Sequence, residues 1–222
     1  MKARAKILSL ALAGTMIVSA GVFGTMAYLT DTKEVKNTFT VGNVSITLDE
    51  AKVNLDGTYE TDQDNRVTAN EYKLMPGHHY IKDPTVTVEA NSEDAYIRAL
   101  VTVSNADAVT EVLGDIFEDE VITELSDEWD QVGGPVEGEG TLTYEFRYKE
   151  VVTASDTDIG LAALFTGFTI PGAVDNEGLE SLAGMRIDVV AQAIQADGFA
   201  DAGAAWNAFK GESTQTTEET GE

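Results

Sequence analysis

Tyr96-Ile97-Arg98-Ala99-Leu100-Val101-Thr102-Val103 places Ile97, Ala99, Val101 and Val103 on one face of an extended chain. A period of two belongs to a strand, because successive side chains of an extended backbone point to opposite sides. The same period recurs in Val44 to Leu48, in Thr85 to Val88 and in Leu142, Tyr144, Phe146 and Tyr148. Phe165 to Ile170 and Met185 to Ile194 read as two further strands. β-branched content and turn-rich gaps predict half-buried antiparallel strands. The gaps carry turn chemistry: Met75-Pro76-Gly77, Asn91-Ser92-Glu93-Asp94, Gly133-Gly134-Pro135 and Pro171-Gly172. Proline presets φ, and glycine or asparagine accepts a positive one.

Two stretches depart from this pattern. Ala108 to Leu125 spaces Val109, Val112, Leu113, Ile116 and Phe117 as a helix does, with Gly114 as a weak point. Ala200 to Phe209 predicts a short amphipathic helix, with Trp206 and Phe209 three apart. Seven or more strands at short spacing in one domain point to an all-β fold, an antiparallel jelly-roll-type β-sandwich with short accessory helices. Its expected extent is residues 44–210. The tail over 211–222 contains no apolar residue and is expected to be disordered.

The first 27 residues read as an export signal rather than as part of the fold. Lys2, Arg4 and Lys6 precede an apolar run from Ile7 to about Phe23, and Gly24-Thr25-Met26-Ala27 follows. This order of basic, apolar and small residues predicts cleavage between Ala27 and Tyr28. A retained anchor fits less well: the run is short of the ~20 apolar residues that span a bilayer, and no basic cluster stops it. The expectation is an extracellular protein with no stable membrane anchor after cleavage. The chain has no cysteine, so neither a lipid-bearing cysteine nor a disulfide is available to it.

Charge narrows the partners. The chain holds 14 basic and 39 acidic residues, a net charge of −25, and losing the three basic residues of the signal takes it to −28. So acidic a surface argues against nucleic acid as a partner.

Tyr28 to Val44 is a strand-prone end in which Val35, Phe39 and Val41 stand among polar residues. Such a strand can pair with its own sheet or add to the open edge of another copy. The run Gly24 to Asp31, followed by Asn37-Thr38-Phe39-Thr40-Val41-Gly42-Asn43-Val44, resembles the start of the TasA and camelysin family. The likeness continues through Leu74 to Gly77, Lys82 to Val86, Ala95 to Arg98 and Ile187 to Gln195, and is patchy between about Val103 and Leu142. The resemblance implies an exported protein of Gram-positive bacteria, cut by a SipW-type signal peptidase. It also implies a jelly-roll domain that self-associates into fibres of a biofilm matrix. The N-terminal segment (residues 28–43) would complete the sheet of the next subunit, with Tyr28, Val35, Phe39 and Val41 in the donor strand.

Camelysin-like members have been classed as metallopeptidases, so the resemblance offers a secreted or cell-surface metalloendopeptidase as the second reading. A monomeric surface-associated binding module is the third. The only histidines are His78 and His79, adjacent after Pro76-Gly77. No His-Glu-x-x-His run puts two imidazoles on one helix face, and nothing selects a third zinc ligand. Exposed turn histidines are the plainer reading. Asp62-Gln63-Asp64-Asn65-Arg66 begins like a calcium loop, then places arginine at a ligand position and lacks the turn glycine. Asp156-Thr157-Asp158 is another oxygen cluster. Both read as polar turns. The sequence therefore assigns no catalytic residue and no cofactor; calcium at the oxygen clusters and zinc at the histidines are the metals these residue types would suit.

Overall fold

The computed structural model describes residues 30–34, 37–40, 44–118 and 121–215, with the backbone alone for 30–34, 37–40 and 210–215. Its strands and helices follow in chain order. They are β1 (Thr30–Glu34), β2 (Asn37–Thr40), β3 (Ile46–Ala51), β4 (Arg66–Val67), β5 (His79–Ile81), β6 (Thr85–Val88), β7 (Ala95–Ser104) and α1 (Ala106–Leu113). Next come β8 (Ile122–Thr123), β9 (Trp129–Gln131), β10 (Val136–Gly138), β11 (Thr141–Tyr148), β12 (Ile159–Gly160) and β13 (Gly167–Thr169). α2 (Asn176–Ser181), β14 (Ile187–Gln195) and α3 (Ala202–Gln215) complete the described chain.

The strands form three antiparallel sheets. The largest runs β10-β11-β7-β14-β1-β2, with β9 also on β11; the others run β12-β6-β3-β4 and β5-β13-β8. The chain passes between the large sheet and the other two at β2 to β3, β6 to β7, β7 to β8, β8 to β9, β11 to β12 and β13 to β14. The fold is the expected all-β antiparallel sandwich with short helices.

Alternation decides which faces meet. Ile97, Ala99, Val101 and Val103 on β7 are buried, as are Tyr144 and Phe146 on β11 and Val189, Ala191 and Ala193 on β14. They share one core with Ile46 and Leu48 of β3, Val86 and Val88 of β6, and Phe168 of β13. Phe146 stands opposite Ala99, which stands opposite Ala191. A large ring thus packs beside two methyl groups, the alternation of large and small residues that close packing favours.

The helices differ from expectation in length. α1 stops at Leu113 rather than reaching Leu125, because Gly114 takes a φ of 75° and turns the chain out of the helix. Ile116 remains in the core, but from a turn. α3 continues to Gln215, into the segment from Gly211 that was expected to be disordered. Extending a helix already anchored by packing costs far less than starting one. Residues 216–222 lie outside the described residues.

The expected turns are present. Gly77 donates its N–H to Ile170 O at 2.8 Å with a φ of 70°, and Asn91 takes a φ of 63°. α2, absent from the sequence reading, is opened by Asp175, whose carboxylate accepts the Gly178 N–H at 2.9 Å. Among the described residues, no helix is long and apolar enough to cross a membrane.

Candidate functional site

β14 is the element on which the N-terminal segment rests. It pairs with β7 along its whole length, from Ile187↔Val103 to Gln195↔Ala95. On its other side β1 covers only part of it, from Thr30↔Ile194 to Glu34↔Val190. β2 folds back on β1, with Thr32↔Phe39 and Glu34↔Asn37. The described part of the segment expected to donate a strand, 30–34 and 37–40, therefore lies on the sheet of its own chain. Within it, Phe39 falls in β2; Ala27, Tyr28, Val35 and Val41 lie outside the described residues.

Ile187 to Val189, the start of β14 beyond its described pairing with β1, borders a cleft of about 1130 Å³. Leu48 and Glu50 of β3 stand across it, and Tyr72, Leu74, Phe168 and Leu182 add apolar wall. Two apolar rows of the large sheet end there: Tyr144–Val101–Val189 and Leu142–Val103–Ile187.

A charged pair sits in this apolar wall. Lys82 Nζ donates to Glu50 Oε2 at 2.6 Å, and both residues are buried. Asn70 Nδ2 donates to the other carboxylate oxygen at 2.9 Å and to Ala51 O at 2.8 Å. Tyr72 donates its hydroxyl to Ile81 O at 3.0 Å, and burial, with Glu50 and then Asp83 nearby, pushes its pKa well up. Each charge is matched and hydrogen-bonded, as a buried ion pair requires. The set is a rigid polar brace in the wall.

The histidines do not converge. His78 Nε2 lies 2.7 Å from Asp56 O with its ring edge-on to Tyr80, whereas His79 Nδ1 lies 3.1 Å from Thr169 Oγ1. Thr58, through its hydroxyl and its N–H, holds the Asp56 carboxyl below the usual range, with His78 contributing less. Close packing shapes this corner: a Cβ on Gly57, at a φ of 78°, would lie 2.7 Å from Tyr80 Cα.

The oxygen clusters are occupied by the backbone. Asp62 Oδ1 accepts the N–H groups of Asp64 at 3.0 Å and Asn65 at 3.2 Å, and Asp158 Oδ1 accepts that of Ala90 at 2.8 Å. Arg66 turns inward, with Nε 2.8 Å from Asp49 and a terminal nitrogen 2.6 Å from Asp83. Among the described residues, no group of three or more histidines and carboxylates is arranged to hold a metal ion.

Sequence reasoning missed a second packed site, on the outer face of the large sheet. Arg98 donates Nε to Gln192 Oε1 at 2.6 Å and lies 3.5 Å from Glu145. Its guanidinium is stacked 4.5 Å from the Trp206 ring centroid and 4.9 Å from that of Phe209. Burial lowers the Arg98 pKa, and Glu145 offsets this in part. α3 thus covers a row of polar strand residues, with its aromatic pair as the lid. The spacing of Trp206 and Phe209 was the available signal; its target on the sheet was not.

Fold and site together define an antiparallel β-sandwich with an N-terminal hairpin on one edge and an open cleft beside it. Compared with known proteins, the chain matches no family model, no curated protein and no solved structure.

Proposed function

We propose that this chain is a secreted structural protein of the TasA and camelysin type, which forms extracellular fibres of a biofilm matrix by exchanging its N-terminal strand between subunits. The observation that carries this reading is the placement of β1. Thr30-Asp31-Thr32-Lys33-Glu34 is polar at every position, yet runs along the edge of β14 in a regular ladder. Among the described side chains the apolar core begins at Val44. A strand joined by main-chain bonds, with no apolar face to lock it, re-forms the same bonds on another copy at little cost. Domain swapping of this kind leads to open polymers when each copy both gives and receives.

Export supplies the timing. Cleavage between Ala27 and Tyr28, by a SipW-type peptidase, frees the end of the segment only outside the cell. Self-association follows from the exchange, so the proposal needs no cofactor. Electron microscopy of chains starting at Tyr28 and at Val44 tests it. Fibres are expected from the first and none from the second; equal fibre growth from both would falsify strand exchange. A chain from Tyr28 that stays monomeric would favour the surface-binding module instead.

A further inference from the structure

We infer that Lys82 and Asn70 react to form an isopeptide bond within the chain, with Glu50 carrying protons between them. The bond involves neither the N-terminal segment nor contact between copies. The chain has no cysteine, so no disulfide can staple it. An amide joining two side chains is a covalent staple that needs none. The three residues come from separate stretches: Glu50 from β3, Asn70 from the loop after β4, and Lys82 from the position after β5.

Both reacting groups are held by one carboxylate. Lys82 Nζ donates to Glu50 Oε2 at 2.6 Å, and Asn70 Nδ2 donates to Glu50 Oε1 at 2.9 Å. The amide is also held the right way round for attack. Its Nδ2 donates to Ala51 O at 2.8 Å, and its Oδ1 accepts the Val53 N–H at 3.0 Å. Turned over, it would set its oxygen against two acceptors, so these partners fix its orientation. Glu50 and Lys82 are only 5% and 8% exposed, and Leu48, Tyr72 and Phe168 line the same wall. In such surroundings, moving one proton from Lys82 to Glu50 removes two buried charges at once.

The step balances without an oxidant or a cofactor. Glu50 takes a proton from the Lys82 ammonium, and the freed lone pair on Nζ attacks Cγ of Asn70. Negative charge develops on Oδ1, where the Val53 N–H already donates, as an oxyanion requires. Glu50 passes two protons in all from Nζ to Nδ2. The Cγ–Nδ2 bond breaks, the nitrogen leaves as ammonium, and Glu50 is again a carboxylate. One amide C–N bond has formed and one has broken. Glu50, Asn70 and Lys82 all line the cleft, which gives the ammonium its way out. The new bond closes the segment from Asn70 to Lys82, with its Met75-Pro76-Gly77 turn and both histidines, into a covalent ring.

Mass spectrometry of the purified, denatured chain tests the bond. The expected mass is below that of the sequence by one ammonia, about 17 Da. After trypsin, residues 67–73 and 74–98 should appear as one cross-linked species, uncut at Lys82. Lys82→Arg keeps a cation beside Glu50 but has no primary amine, and should show the full mass of its sequence. Glu50→Gln, checked for folding by circular dichroism, should cross-link roughly 100-fold more slowly, as loss of a proton carrier does. If it does not fold, Glu50→Asp, which keeps the charge but shortens its reach, should show the same slowing. The cross-link adds to stability, so the worth of the charges alone is read in Asn70→Ala, which cannot form it. A native chain of full mass overturns the inference. So does loss of ammonia with residues 74–82 released free, because that is ring closure of Asn70 onto its own backbone. A folded Glu50→Gln that cross-links at the native rate overturns the role given to Glu50.

Discussion

Lys82 reaches into the wall of the cleft and meets Glu50 at 2.6 Å. The two are separated by 32 residues, and in sequence each is an ordinary polar position beside a strand. Their burial depends on where β3 and the Tyr72 to Leu74 segment come together. Breaking the pair leaves one buried charge unmatched. Lys82→Met should cost about 3–5 kcal/mol in urea denaturation, while Lys82→Met with Glu50→Leu should recover most of it. A double variant as unstable as the single one would show that the charges are not the source of the loss. Arg98 illustrates the same limit. Alternation placed it correctly on the outer face of β7, and outer faces read as solvated; only α3 makes that position an interior.

The elements were most legible where periodicity and burial agree. β7, β11 and β14 were expected close to where they lie, because each buries one face against the same core. Short pieces such as β4, β8 and β12, two residues each, carry too little period to be seen. α1 was overextended because apolar spacing runs through Gly114 although the backbone does not. α3 offers an element-scale test. Trp206 is fully buried, and its Nε1 has no acceptor among the described residues. Trp206→Ala should cost about 3–5 kcal/mol for the lost packing. Trp206→Phe should cost clearly less, because it also removes an unpaired donor worth about 1–3 kcal/mol in desolvation. Chemical denaturation of both variants decides this; equal losses would mean that the indole N–H has a partner.

At the scale of the whole molecule, charge sets the terms of assembly. The full chain carries −25, and the proposed cleavage after Ala27 would take it to −28, so bringing copies together in the proposed assembly is opposed by repulsion. Raising salt from ~10 mM to ~150 mM shortens the screening length from about 30 Å to about 8 Å. The critical concentration for fibre growth should therefore fall as salt rises, and light scattering across a salt series measures it. A critical concentration that rises with salt would mean that attraction between unlike charges drives the contact. Acidification towards the isoelectric point, near pH 4.1, should act in the same direction as salt.

The sequence by itself determined the fold class, the inward face of each long strand, the main turns and the polar character of β1. All of these are local: a period of two, a proline or a glycine acts within a few residues. Tertiary structure alone decided that β1 covers β14 only as far as Val190, that a cleft opens beside Ile187 and Val189, that Lys82 meets Glu50, and that α3 closes over Arg98. Each of these joins segments far apart in the chain, and their meeting depends on how the sheets stack. The alternation that predicts a strand is blind to which neighbours it meets, and the described pairing of the polar β1 with β14 is the feature on which the proposed assembly turns.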